Sequence, residues 1–154
     1  MSDMVAVYRA PMRSRDDDVD VAATIARARA RSVCGFGERG VAPEKLDGRI
    51  GRFAAAPDGS FVWARDPDGL FWLGRLDGSY RRDTSTAATE VDLVHVRPCR
   101  WLGDPLLEPQ VPPAVLATYR RGGRNFQQTH DPEVGAQSLR LWEAASAATA
   151  GRLA

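Results

Sequence analysis

Aromatic rings set beside glycines, and arginines set beside an amide, are the residues of this chain whose types could do chemistry. Phe36 stands between Gly35 and Gly37, Tyr80 follows Gly78 by two positions, and Trp63, Trp72 and Trp101 fall in stretches of strand character. A base stacked on such a ring gains ~1–3 kcal/mol, and extruding it from a duplex costs a few kcal/mol. An aromatic pocket can therefore roughly cover that cost, above all for a damaged or modified base that leaves its stack readily. The same spacing also suits rings that fill a core. Core filling is the better account of Trp72 and Trp101, whereas for Phe36 and Tyr80, at loop edges, both readings stand; Trp63, on a hairpin, is kept with them as a candidate.

A second group is basic. Arg81 and Arg82 follow Tyr80, and Arg120, Arg121, Arg124 and Asn125 surround Gly122-Gly123. Guanidinium groups grip phosphate in bidentate fashion, glycine lets backbone amides approach an anion, and an asparagine amide can read a base edge. A solvated turn with solubilising charges would look the same. The candidate ligand- or nucleic-acid-binding set is Phe36, Gly37, Trp63, Tyr80, Arg81, Arg82, Arg121, Arg124 and Asn125.

Enzymatic chemistry is harder to find. A metal-dependent restriction nuclease needs carboxylates for Mg²⁺ and a lysine to orient water, yet the single lysine, Lys45, has only Glu44 beside it. Cys34 or Cys99 could be coupled with His95 or His130 and an aspartate as a nucleophile and base, but Cys99 follows Pro98 in an expected strand with no nucleophile elbow or helix N-terminus to lower its pKa, and buried structural cysteine is the better account. His95 and Cys99 lack the companions of a zinc site, so His95 reads as a strand residue bonded to its neighbours. Arg121 to Arg124 is neither a P-loop nor a dinucleotide fingerprint. No catalytic residue, metal or cofactor is expected, and the protein is expected not to be an enzyme.

Composition sets the frame. The chain has 154 residues, 44% of them hydrophobic, enough for one domain with a real core. A formal net charge of +1 gives no bulk attraction to nucleic acid or acidic membranes, so any basic surface must be local. The arginine bias is also what a GC-rich coding sequence produces. Two distant cysteines indicate no disulfide framework, no stretch reaches the ~20 apolar residues of a membrane span, and no secretory segment is evident; the expected compartment is the cytoplasm.

These groups would be positioned by a β-α-β start followed by antiparallel strands and a helix. Strands are expected over Met4–Arg9 and Ser32–Phe36, with a helix over Val19–Arg31 opened by the acidic cluster Asp16–Asp18. Glu38–Gly48 reads as loop and Arg49–Ala56 as a short helical turn. The clearest signal is a hairpin, Phe61–Arg65 and Leu70–Leu76 around Asp66-Pro67-Asp68-Gly69. A strand near Tyr80–Asp83, a mobile small-residue loop at Thr84–Thr89 and a strand over Val91–Leu102 follow. Arg97 in that strand is expected to serve the fold by pairing with Asp92 or Glu90. Pro112–Arg120 reads as helix, Asn125–Thr129 as the last strand, and Asp131-Pro132-Glu133 as the start of a terminal helix. The strands from Phe61 to Trp101 are expected to close into a barrel.

Several of these segments together resemble a known family. Val5–Ala10 with its terminal Arg9-Ala10, then Gly35-Phe36-Gly37-Glu38, then Gly74, Gly78 and Tyr80, then His95-Val96-Arg97 with Trp101-Leu102, follow in the order of the PUA-like, EVE-like domain that precedes the nuclease of many Mrr-type restriction proteins. The resemblance covers roughly four-fifths of the chain, to about residue 130. It implies an α+β fold: a small, mostly antiparallel PUA-like β-barrel over residues 1–130, with flanking helices and a C-terminal helix, residues 131–154, packed on the same domain. It also implies a non-catalytic module that binds nucleic acid, DNA sooner than RNA, through a modified or flipped base. The setting would be restriction or defence, with a separately encoded nuclease as partner and no membrane. The alternative is a structural or protein-interaction domain docking through Val134, Leu141 and Trp142 of the C-terminal helix.

Overall fold

The computed structural model describes residues 5–153; Met4 and Ala154, at the ends of the expected first strand and last helix, lie outside the described residues. The order is β1 (Val7–Arg9), α1 (Val21–Arg31), β2 (Val33–Phe36), α2 (Pro43–Ala55), β3 (Phe61–Arg65), β4 (Phe71–Leu76), β5 (Arg81–Arg82), α3 (Thr86–Glu90), β6 (His95–Trp101), α4 (Pro113–Arg121), β7 (Gln127–Gln128) and α5 (Val134–Leu153). This is the expected α+β class.

Local chemistry explains where the elements begin. Asp20, not the Asp16–Asp18 cluster, caps α1 through a 3.0 Å bond from the Ala22 amide; Asp16 and Asp17 pair with Arg39 and Arg124 instead. α2 starts well before the expected turn because Pro43 occupies its first position, where the missing N–H costs nothing and the fixed φ suits a helix. The segment expected as a mobile loop contains α3. Ser85 caps it by accepting from the Ala88 amide, and Ala88 is fully buried, so the segment is anchored. The hairpin is as expected: Asp66 accepts from the amides of Asp68 and Leu70, and Gly69 supplies the positive φ of +83°.

The sheet runs β2-β6-β4-β3-β1-β7, with β5 added beside β6. Among the described residues only β1 and β3 pair in parallel; the other ladders are antiparallel. It curls, but it does not close in the expected way: among the described residues no ladder joins β2 to β7. Both faces are buried. Val62, Ala64, Trp72 and Leu76 enter a core shared with Ile25 and Ala28 of α1, while Phe61, Trp63, Phe71 and Leu73 face a second core under α4 and α5. Strands buried on both sides read as unbroken apolar runs, as β3 does.

α5 lies on that second core. Val134 is buried, Leu141 and Trp142 pack against it, and the Trp142 ring lies 5.8 Å from Phe61. The face considered for docking is thus occupied by the protein's own sheet. No helix among the described residues is long and apolar enough to cross a membrane.

Arg97 does serve the fold, but with other partners than expected. Its guanidinium meets Asp58 at 2.8 Å and donates to the carbonyls of Phe53, Ala56 and Gly78, which ties the end of α2 to β6. Arg97→Met leaves the carbonyls of Ala56 and Gly78 without this donor and the Phe53 carbonyl with the Ala56 amide alone, and an expected loss of about 3 kcal/mol follows. Urea denaturation should show a lower midpoint at unchanged slope; an unmoved midpoint would refute the role.

Asp83 is a pH-dependent staple. Bonds from the Ser85 amide and hydroxyl, and then Arg27, outweigh its burial and hold its carboxyl at about 2 against an ordinary 3.8. A depressed folded-state value means that its contribution is complete above the ordinary value and is lost as pH falls through about 2. Asp83→Asn should lose less stability than the parent between about pH 5 and pH 2, and equal losses in acid-titrated melts would rule the staple out.

Candidate functional site

Where the curl stops short of closure, rings take the place of a ladder. Tyr8 of β1 stacks on Phe126, centroids 4.7 Å apart and planes within 11°. Phe126 meets Phe53 of α2 edge-on at 4.9 Å, and Phe53 meets Phe36 of β2 at 5.1 Å. These four rings bridge from the β7 side to the β2 edge. Above them lies a cavity of about 160 Å³, lined by Phe36, Gly37, Phe126, Gln127, Asn125 and Asp92, together with arginines of three loops and α2. That volume is below the ~300–1,000 Å³ of pockets for drug-sized ligands, so it suits one ring system or one anionic group.

Asp92 holds the walls together. It is 4% exposed and carries a φ of +49°. One oxygen accepts from the Ser14 hydroxyl at 2.6 Å, and the other accepts from the amides of Glu38 (3.0 Å) and Arg39 (3.4 Å). The β1–α1 loop, the β2–α2 loop and the turn into β6 therefore meet on a single carboxylate. Gly37 has no side chain because a Cβ there would run into that carboxyl group.

Behind the wall runs a second polar chain. The Tyr80 hydroxyl meets Nδ1 of buried His95 at 2.8 Å, His95 Nε2 meets Glu38 at 2.9 Å, and the other Glu38 oxygen is paired with Arg82. Burial pushes the Glu38 carboxyl up, but the hydrogen bonds from His95 and Arg82 outweigh it and leave the group below its ordinary value.

The candidates from sequence divide into two sets. Phe36, Gly37, Arg124 and Asn125 come together on the cavity. Arg124 also donates to the Ser14 carbonyl at 2.6 Å and pairs with Asp17 at 2.8 Å, while the Asn125 amide oxygen accepts from Arg15 at 2.9 Å. Trp63 is excluded by its position: it is fully buried on the α4–α5 side of the sheet, with its indole N–H on Ser138. Tyr80 turns its hydroxyl to His95, Arg82 is engaged by Glu38, and Arg81 and Arg121 are exposed but outside the cavity lining. The diglycine turn does not cradle an anion. Buried Arg9 donates to the Gly122 carbonyl at 2.6 Å and to the carbonyls of Thr118 and Asn125, filling that space itself.

Sequence reasoning missed Arg13, Ser14, Arg15, Arg39, Arg49, Arg52, Asp92 and Phe126. The three-residue spacing of Arg49 and Arg52 would have flagged them had α2 been read from Pro43. Both cysteines are buried, and burial pushes the Cys99 thiol well up, away from nucleophilic use. Among the described residues no three His, Cys, Asp or Glu side chains converge as a metal site would require.

No family model matches the chain, and no curated protein matches it. Its fold is similar to that of solved YTH domains. One is the YTH domain of the Zygosaccharomyces rouxii MRB1 protein in complex with N6-methyladenosine RNA, with a TM-score of 0.51, 11% identity, and coverage of 93% of this chain and 88% of that one. Another is the Pho92 YTH domain in complex with m6A, with a TM-score of 0.55, 11% identity, and coverage of 92% and 85%. The likeness is one of fold.

Asp92→Asn tests the three-loop junction. An amide cannot accept from all three donors, and leaving them short costs about 2 kcal/mol. Hydrogen exchange should accelerate at the Glu38 and Arg39 amides; protection equal to the parent's would mean that another group holds the wall.

Proposed function

We propose that this protein is a non-catalytic nucleic-acid-binding module that takes up a single modified base, carried by RNA, in the cavity over Phe36 and Phe126. The observation that carries the reading is the cavity itself: an aromatic floor ringed by guanidinium groups, in the gap where the sheet fails to close. Stacking on the rings supplies sequence-tolerant affinity, the Asn125 amide supplies a donor and acceptor for a base edge, and arginines supply contacts to phosphate. Its small volume favours one extruded base over a stacked run.

The fold neighbours bear on the kind of ligand. Both are complexes with m6A, one of them in RNA, which favours a methylated purine and RNA over the DNA that the sequence resemblance implied. A restriction or defence setting, with a separately encoded nuclease, rests on that resemblance alone.

A fluorescence-polarisation titration of N6-methyladenosine RNA against the same unmodified strand, at low salt, tests the proposal. The modified strand should bind the more tightly, with affinity falling as salt rises. Phe126→Leu, which keeps apolar bulk and removes the ring, should weaken binding about tenfold. Flat traces for both strands, and for cytosine-modified DNA, would end the proposal.

A further inference from the structure

We infer that a base held in this cavity carries a terminal phosphate at the cavity's mouth, among the exposed Arg13, Arg15 and Arg52: a phosphomonoester, on a free nucleotide or at the 5′ end of a strand. The inference rests on the base-pocket reading and deepens it. Among the described residues, six arginines line the cavity together with a single carboxylate, that of Asp92, whose oxygens are already taken by Ser14, Glu38 and Arg39. Arg39 and Arg124 are neutralised from outside, by Asp16 at 3.1 Å and Asp17 at 2.8 Å. The others are not. Arg15 meets only the amide oxygen of Asn125, and among the described residues Arg13, Arg49 and Arg52 form no ion pair.

These charges are close enough to feel one another. Burial, and then the neighbouring charges of Arg15 and Arg52, hold the Arg49 guanidinium below its usual range. Like charges gathered from a loop and a helix onto one concavity repel, and a bound anion relieves that repulsion. The charge of the anion follows from the number of free guanidiniums. A phosphodiester carries one charge per nucleotide, whereas a phosphomonoester carries about −1.5 to −2 at pH 7 and has three acceptor oxygens.

The surroundings favour an end over a track. The groove that leaves the cavity past Ser14 and Arg124 is of mixed charge: Asp16, Asp17, Asp20 and Asp66 line it with Arg13, Arg65 and Arg124, of which Arg13 and Arg124 are shared with the cavity itself. A backbone continuing along that side would run its phosphates past carboxylates. Of the four arginines without an ion pair, Arg15, Arg49 and Arg52 line the cavity and not this groove, while Arg13 lines both.

Calorimetric titration of the whole chain with N6-methyladenosine, its 5′-monophosphate, and short strands bearing the modified base internally or at a 5′-phosphorylated end provides the test. The monophosphate, or the 5′-phosphorylated strand, should bind about tenfold or more tightly than the nucleoside. That advantage should shrink with salt and on lowering the pH through the second phosphate ionisation near ~6. Arg49→Gln/Arg52→Gln should erase it, and Arg52→Gln alone, at an exposed helical position, should reduce it if the double variant does not fold. Inorganic phosphate should compete with the monophosphate and leave the nucleoside unaffected. Equal binding of nucleoside and monophosphate, or tightest binding by an internal modified base without a terminal phosphate, would overturn the inference while leaving the base pocket standing. Silence from every probe would remove both.

Discussion

A curled sheet with two unjoined edges is the constraint on which this structure turns. β2 and β7 carry hydrogen-bonding groups that a closed barrel would pair, yet no ladder runs between them among the described residues. Tyr8, Phe126, Phe53 and Phe36 fill that seam instead. Rings pack without the register a ladder demands, so the seam can hold a concavity where a paired barrel would hold backbone. The cavity is thus a consequence of how the sheet ends, and its floor is made of the same side chains that hold the edges together. In the proposed role, binding and folding would share those rings, which is why a conservative change of Phe126 is more informative than its removal.

Buried charged side chains do the joining that short strands cannot. β5 and β7 have two residues each, too few to fix their loops by ladder bonds alone. Arg9 reaches from β1 to carbonyls of α4 and the turn after it, Arg97 reaches from β6 to the end of α2, and Asp92 gathers three loops. Each is charged at one end and aimed mostly at neutral backbone or hydroxyl groups. Such groups are costly to strand and so specify one arrangement. The Arg9 case also shows how a chain can consume its own apparent anion site: the diglycine turn is open enough for a guanidinium, and one from β1 occupies it.

Much of the fold could be read from local chemistry, because its signals lie within a few residues. Asp66 to Gly69 encode the hairpin turn, Pro113 opens α4, and the apolar spacing of Val21, Ile25 and Ala28 encodes α1. α2 was hidden by Gly48, which weakens a helical reading by about 1 kcal/mol, and α3 by a run of small residues whose cap, Ser85, acts only once Ala88 is buried. The site was half legible. Phe36, Gly37, Arg124 and Asn125 announce themselves by glycine and amide neighbours. Trp63 misled because alternation along β3 cannot say which of two buried faces a residue takes, and its face belongs to α4 and α5. Asp92 was beyond reach for a different reason: its partners, Ser14, Glu38 and Arg39, lie more than fifty positions away. Its role exists only in three dimensions.

Net charge is the least informative quantity here, and the reason is spatial. A total of +1 offers no field to guide a polyanion from a distance. The same total contains a cavity with six arginines and a single carboxylate, offset elsewhere by carboxylates that include the Asp16–Asp17 loop. Two of those aspartates are spent on Arg39 and Arg124 in partly exposed pairs, worth little individually in water. They therefore tether the loop beside the cavity and offset two of its arginines, leaving the charge of the others. With screening over about 8 Å at physiological ionic strength, such a site acts at contact and not at range. On the proposed reading, recognition would then come from what fits against the rings and between the guanidiniums, and selectivity would reside in the shape and charge of a single residue-sized ligand and not in the length of a strand.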